Sequence, residues 1–396
     1  MVKVLRSFVR GPLERFAAGF AEELLLQGYA QSSADQHVCF VAHLDRWMLG
    51  EGVGVDGLTA PVLRRYLEQR RTAGYRQYLS MKALAPLLIY LTPMGVLPVA
   101  EPVLLGPIEE LLASYRQYLL VERGLTEGTV RGYVDKMRPF VATRVHGDVL
   151  DLGGITAADV TGYIRAVCPG RAPGTAKLIV CALRSLLRWL HLTGQLPTPL
   201  DTAVPAVAGW RLSNLPKGLE PAQLDRLLAS CDRCTSTGRR VYAVMLLLSR
   251  LGLRAGEVAR LGLDDIDWRR GVITVIGKGN RGERLPLPDD VGEAITAYLQ
   301  DGRPAAAEGR CVFVRVHAPM RELTTGGITM IVFDGARRAG LGKIHAHRLR
   351  HTAATVMLRS GSSLPEIGQV LRHRSLLSTA IYAKVDRDAL SVLARA

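Results

Sequence analysis

Residues 345–358 read HAHRLRHTAATVML, and this stretch decides how the C-terminal half of the chain is read. His347 and Arg350 stand three positions apart, which places both on one face of a helix. Upstream, LLLSRLGLRAGEVARL (246–261) sets Arg254 and Glu257 just after an apolar helix and at the start of another. Next, GVITVIGKGNRGERLPL (271–287) alternates Val272, Thr274 and Ile276, the period of a strand, and leads into the turn Gly277-Lys278-Gly279-Asn280. Downstream, EIGQVLRHRSLLSTAIYAKVD (366–386) supplies His373 and Tyr382, nine positions apart, a spacing that fits one helix, a short turn and the start of another.

Singly, each residue has a plain structural reading. Arg254 reads as a helix-cap residue, Lys278 as a solvated lysine in a glycine-rich turn, His351 as a packed histidine and Tyr382 as a core tyrosine. A phosphate loop is excluded, because GxxxxGK[ST] is absent around Gly277. Together and in order, however, Arg254, Lys278, His347, Arg350, His373 and Tyr382 resemble the tyrosine recombinase (phage integrase) family, which includes lambda-type integrases, Cre and the Xer recombinases. Members carry Arg, Lys, His-x-x-Arg, His or Trp, and Tyr in that order. The flanking words GLRxGE, GKGxxxxxxPL, HxLRHTxAT and LxHxxxxxTxxIY match as well, and the resemblance covers about Gly218 to Asp386. One departure is local: the family usually has Gly before the second His, where this chain has Arg372, which would alter the turn or add a phosphate contact.

The resemblance implies a chemistry that suits these residue types. The transition state of phosphoryl transfer spreads negative charge over non-bridging oxygens, so catalysis is mostly positioning and electrostatic stabilisation. Planar guanidinium forks match a phosphate with two parallel hydrogen bonds and stay charged. Arg254 and Arg350 would therefore grip the scissile phosphate. His347 and His373 would donate hydrogen bonds or handle a proton. Tyr382 would be the nucleophile, giving a 3′-phosphotyrosine and a free 5′-hydroxyl, and Lys278 would protonate the leaving oxygen. Glu257 would brace the two arginines. The phosphotyrosyl bond keeps the phosphodiester energy, so no ATP, metal or other cofactor is expected. Partners implied are double-stranded DNA and a homo-tetramer on two duplexes, in the cytoplasm at the bacterial nucleoid. Whether the element is an integrase, transposase or resolvase, which accessory proteins assist it and which DNA sequence it takes are not legible. The competing readings are a type IB topoisomerase, against which the N-terminal repeats and the motif words speak, and a DNA-binding regulator, which would tolerate losses among the six residues. The final stretch, 387–396, carries an apolar face at Ala389, Leu390, Val392 and Leu393 that could dock on a neighbouring subunit or on its own.

Working outward, the first two hundred residues contain one module twice. GYAQSSADQHV from Gly28 matches GLTEGTVRGYV from Gly124, GLTAPVLRRYL from Gly57 matches GITAADVTGYI from Gly154, and YLTPMGVLP ending at Pro98 matches WLHLTGQLP ending at Pro197. Val38, Val41 and Leu44 in the first copy, and Val134, Met137 and Phe140 in the second, mark one apolar helical face. Thr59 and Thr156 sit where an N-cap would open the next helix. Each copy reads as about four helices, a DNA clamp or a protein-binding module.

The expected fold is therefore mainly α: two tandem SAM-like helical bundles at 1–104 and 105–200, a linker at 201–219, and a mostly helical α+β catalytic domain at 220–396 with a small antiparallel sheet. Composition agrees with a folded chain, at 48% hydrophobic and 22% charged residues, and the net charge of +15 favours a polyanionic partner. Six dispersed cysteines suit a reducing compartment rather than a disulfide framework. Cys231 and Cys234 form a CxxC without a second ligand pair, which reads as two small residues in a helical segment rather than zinc ligands. The uncharged stretch 83–100 is long enough to suggest a membrane span, but three prolines interrupt it and its counterpart in the second copy carries Arg184 and Arg188. No signal-peptide pattern is expected either, since Glu22 and Glu23 break the apolar stretch after Arg15.

Overall fold

The computed structural model describes residues 9–98, 106–147, 149–207, 218–277, 282–307, 309–372, Thr379 and Tyr382. The chain forms two compact units, one of Met1–Val99 with Asn214–Ala396 and one of Ala100–Ser213.

In the first unit the chain begins with four helices: α1 (Glu14–Leu26), α2 (Gln31–Glu51), α3 (Ala60–Thr72) and α4 (Met81–Leu91). Their core buries Val38, Val41 and Leu44, the apolar face read from the spacing, together with Phe20, Leu63, Tyr66 and Leu67. Full burial of each such side chain contributes about 1.5–3 kcal/mol. The start of α1 is tied down by a buried carboxylate: Asp45, 1% exposed, accepts the backbone N–H groups of Arg10 (3.0 Å), Gly11 (2.7 Å) and Leu13 (2.7 Å). Residues 83–91 of the uncharged stretch form all but the first two positions of α4, an 11-residue helix. No helix among the described residues is long and apolar enough to cross a membrane.

The second unit repeats the order: α5 (Pro107–Val121), α6 (Glu127–Ala142), a short hairpin of β1 (Val145–His146) and β2 (Val149–Leu150), α7 (Ala157–Val167) and α8 (Pro173–Leu192). Gly28 and Gly124 both follow a first helix in the left-handed region (φ +84° and +56°), and Gly95 and Gly194 both follow a last one (φ +65° and +73°). The repeat is thus visible in its turn chemistry, because these conformations favour glycine. Thr59 and Thr156 are the N-caps of α3 and α7, and Thr156 adds a capping box with Asp159. Val204, within the stretch read as linker, is 1% exposed in this unit's core, and Arg184 donates to its carbonyl at 2.8 Å.

The remainder of the first unit is the C-terminal domain. It contains α9 (Pro221–Ala229), α10 (Ser236–Arg250), α11 (Ala255–Arg260), β3 (Ile266–Asp267), β4 (Val272–Ile276), β5 (Gly282–Pro286), α12 (Asp289–Asp301), α13 (Thr325–Arg338), α14 (Ala346–Arg359) and α15 (Leu364–Val370). The fold is mainly α with a small antiparallel sheet of order β3-β4-β5, in which Ile273 pairs with Ile266 and Leu285. The expected strand is present as β4, and the structure shows which of its faces is buried. Ile273 and Val275 point into the core while Ile276 is exposed, because every second residue of a strand shares a face and Leu285 and Ile266 pack on that side. Cys231 and Cys234 lie in the connection between α9 and α10 rather than in a helix, Cys231 buried beside Met245 Sδ (3.7 Å) and Cys234 exposed. Among the described residues no cluster of His, Cys, Asp and Glu could hold a metal ion. Lys278, His373 and the stretch 387–396 lie outside the described residues.

Candidate active site

Helix α10 is buried along most of its length, which fixes the chain direction at its end. Gly252 then turns the backbone at φ +60°, and a Cβ there would stand 2.4 Å from Leu371 Cδ2, so both conformation and space require glycine. The turn delivers Arg254 as the N-cap of α11. Glu257, three residues on, reaches back: Oε2 accepts the Arg254 backbone N–H at 2.8 Å and Oε1 accepts Arg254 Nη1 at 2.6 Å. The Arg254 side chain remains 40% exposed while that of Glu257 is 2% exposed, so the carboxylate is a buried anchor for a cation open to solvent.

The second guanidinium on Glu257 is that of Arg372, whose Nη2 donates to Oε2 at 2.7 Å. Arg372 occupies the left-handed region, φ +55°, where a glycine would be unstrained, and Arg254 Nη2 donates to its carbonyl at 3.4 Å. The residue in place of the family's glycine is therefore an interior ion-pair partner and not an outward-facing phosphate contact. Burial raises the Glu257 pKa, but the Arg254 N–H and the Arg372 and Arg254 guanidiniums outweigh it and leave the carboxyl below its ordinary value.

Arg350 is 1% exposed. Its Nη1 and Nη2 donate to the carbonyls of Gly252 and Leu371, tying α14 to the turn before Arg254 and to the end of α15. The braced pair on Glu257 is thus Arg254 with Arg372, because Arg350 spends these donors on backbone carbonyls. Burial, then the Arg254 and Arg372 cations, push Arg350 down to about 10, so it stays charged at neutral pH.

Tyr382 is 1% exposed and packs with Ala354, Ile367 and Leu371. Its hydroxyl lies 2.8 Å from His351 Nδ1. Burial pushes the phenol up to about 12, partly offset by the Arg350 charge. His351 is pushed down to about 4 by burial, then by His347 and Arg350. The rings of His347 and His351 meet edge to face, centroids 4.3 Å apart. His347 is also lowered, by burial and by Arg350 and Arg254. Both imidazoles are therefore neutral at pH 7.

The structure thus gathers Arg254, Glu257, His347, Arg350 and Tyr382 around the junction of α11, α14 and α15. Arg254 and Arg372 pair with Glu257, and the Arg350 cation adds a third positive charge within electrostatic reach, so the site carries a positive excess toward an anion. His351 and Arg372 are site residues whose roles the sequence did not disclose. The i, i+4 spacing of His347 and His351 on one helix was the available signal for His351.

The chain resembles known proteins along most of its length. The phage integrase family model matches residues 217–388, and the phage integrase N-terminal SAM-like domain matches residues 112–194. A protein of Sinorhizobium fredii named as an integrase/recombinase, y4rA, is 39% identical over 392 residues, 97% of this chain and 94% of that protein. Tyrosine recombinase XerD of Listeria monocytogenes is 29% identical over 287 residues, 71% of this chain and 95% of XerD. The chain belongs to the phage integrase family, the tyrosine recombinases. In fold it is similar to the XerH site-specific recombinase, solved in a post-cleavage complex with a palindromic difH substrate, with a TM-score of 0.57 and 18% identity over 84% of this chain and 94% of XerH.

Proposed function

We propose that this recombinase cleaves and rejoins duplex DNA site-specifically through a covalent bond to Tyr382. The observation that carries the reading is a tyrosine hydroxyl within electrostatic reach of Arg350, which in turn lies within reach of an open arginine, Arg254, anchored on a buried carboxylate. A phosphodiester drawn to Arg254 supplies the negative charge that the arginine cluster lacks, and its non-bridging oxygens gain strength of binding as charge builds in the transition state.

Tyr382 Oη attacks phosphorus, the Tyr382–phosphorus bond forms and the bond to the 5′-oxygen breaks. The phenol loses its proton and the leaving oxygen gains one, from Lys278 if the family role carries over. With its pKa at about 12, the resting phenol is ionised to roughly one part in 10⁵ at neutral pH, a penalty of about 7 kcal/mol. The resting arrangement therefore disfavours attack, and a closer approach of the hydroxyl to Arg254, Arg350 and a proton acceptor would lower that penalty. His347 and His373 are the acceptors and donors expected there, and Glu257 holds Arg254 in place without taking part in bond changes.

The two bundles, 1–104 and 105–200, would clasp the duplex together with the domain at 220–396, with four protomers on two duplexes for strand exchange. The work is that of a bacterial cytoplasmic enzyme on nucleoid or mobile-element DNA. Phosphate contacts of this kind make binding fall steeply with salt.

The test is a nicked duplex drawn from the DNA that flanks the protein's own gene, mixed with wild type and with Tyr382→Phe and run on a denaturing gel. A slow covalent species with wild type alone supports the reading. An adduct that persists in Tyr382→Phe overturns the assignment of the nucleophile.

A further inference from the structure

A polyanion such as DNA does not enter a protein interior, yet the hydroxyl proposed to attack it belongs to a side chain that is 1% exposed. The tyrosine is held there by identifiable contacts. Its ring lies against Ala354 of α14, Ile367 of α15 and Leu371. Three residues before it, Thr379 is also 1% exposed, and its Oγ1 stands 3.0 Å from where a Cβ on Gly368 would be, so Thr379 sits closely on α15. The polar end of the ring meets His351 through a 2.8 Å hydrogen bond to Nδ1. His351 and Ala354 follow one face of α14 at i and i+3, so one helix face supplies both the apolar seat and the polar catch. The His347 ring also packs edge to face against the His351 ring, with centroids 4.3 Å apart.

We propose that His351 is a positioning residue that holds Tyr382 in a buried resting conformation, and that the Tyr382 hydroxyl leaves His351 Nδ1 before it attacks DNA. The inference rests on Tyr382 being the nucleophile. His351 is not the base for that attack. With His351 at about 4 and Tyr382 at about 12, proton transfer to the imidazole runs against a gap of about eight pH units. Both groups are neutral at pH 7, and the phenol, the stronger acid, donates to the Nδ1 lone pair, which puts the imidazole proton on Nε2. A neutral hydrogen bond of this kind is weak enough to break when DNA offers the hydroxyl and the arginines a better partner. The arrangement keeps the nucleophile away from water and stray electrophiles until the site is occupied. It also makes His351 a control on how readily the enzyme starts, separate from the residues that grip phosphate.

The experiment needs no target DNA. Full-length protein is nitrated with tetranitromethane at mildly alkaline pH, and nitration is quantified peptide by peptide by mass spectrometry. Tyr75, 42% exposed, serves as the open reference, and Tyr298, fully buried in the core of the C-terminal domain, as the closed one. In wild type, Tyr382 is expected to resemble Tyr298. His351→Phe keeps the ring volume and removes the acceptor, and is expected to raise Tyr382 nitration about tenfold relative to Tyr298, the range of one neutral hydrogen bond. His351→Asn, whose side-chain carbonyl can accept from the phenol, is expected to restore most of the protection. The proposal is overturned if wild-type Tyr382 reacts as fast as Tyr75, if His351→Phe protects it as well as wild type does, or if His351→Asn is as open as His351→Phe. Nitration reads the catch alone. An adduct that persists in Tyr382→Phe would instead sink the assignment of the nucleophile, so the two failures are distinguishable.

Discussion

Arg372 donates from Nη2 to Glu257 Oε2 at 2.7 Å, and each of the two side chains is 2% exposed. The pair forms where the family usually has glycine, so this chain combines a strained backbone with a buried ion pair. A non-glycine residue in the left-handed region costs about 1 kcal/mol, whereas stripping one partner from a buried charge pair costs about 3–5 kcal/mol. The second effect is the larger. Arg372→Gly is therefore expected to destabilise the C-terminal domain by about 2–4 kcal/mol in spite of relieving the strain, and Arg372→Ala, which keeps the strain, by about 1 kcal/mol more. Chemical denaturation checks the order. A glycine variant at least as stable as wild type would show that the ion pair contributes nothing net.

Glu257→Gln removes the charge that holds Arg254 while keeping a side-chain oxygen. Arg254 then loses its ion pair, and a shift of its guanidinium by about 1 Å is expected to lower the rate of covalent adduct formation about a hundredfold. The acid stability profile gives a second readout. The folded-state pKa of Glu257 lies below the ordinary 4.5, so its contribution is fully present above 4.5 and is lost as pH falls through the depressed value. Wild type is expected to show that extra loss in acid, and Glu257→Gln to lack it. Parallel acid profiles for the two proteins would contradict the depressed pKa.

Much of this site was legible in the sequence because its chemistry needs fixed residue types at fixed spacings. Arg254 and Glu257 are three apart and the cap geometry follows; His347 and Arg350 are three apart and α14 follows. The duplicated bundles were legible through paired glycines and threonines at turns, where few residues fit. Contacts that depend on tertiary approach were not. Nothing local says that Arg372 folds inward to Glu257, 115 positions away, or that His351 meets Tyr382, 31 positions away. The strand face went the same way: Val272, Thr274 and Ile276 and the intervening Ile273 and Val275 are nearly all apolar, so alternation could not say which set faces the core.

The histidine at position 351 predicts a second pH window, above that of Glu257. Burial, with His347 and Arg350, pushes its pKa down to about 4, against 6.5 for a free imidazole. A base with a depressed folded-state pKa takes its proton more readily when unfolded. Stability is therefore complete above about 6.5 and falls as pH drops toward about 4. His351 is partly exposed, so the loss over that window is expected to be about 2–3 kcal/mol at most. His351→Asn should make the profile shallower between roughly pH 6.5 and 4, where the lowered His347 still contributes, while leaving the Glu257 loss below it. A wild-type profile that is flat down to pH 5 would refute the depressed value.

The first bundle offers a test away from the arginine cluster. Asp45 gathers three backbone N–H groups at the start of α1, and its 1% exposure means that water cannot replace it. Each hydrogen bond to a charged acceptor contributes about 1.5–3 kcal/mol, and an abandoned buried donor costs about 1–3 kcal/mol. Some relaxation of the short segment before α1 is expected, so Asp45→Ala should lose about 3 kcal/mol rather than the sum. Asp45→Asn keeps one acceptor oxygen and should lose less. Hydrogen exchange read by mass spectrometry would place the loss: faster exchange in peptides covering α1 and α2, with α5 to α8 unchanged, because the second unit has its own core around Tyr115, Phe140 and Leu183. Equal loosening of α5 to α8 would mean that the two units do not unfold independently.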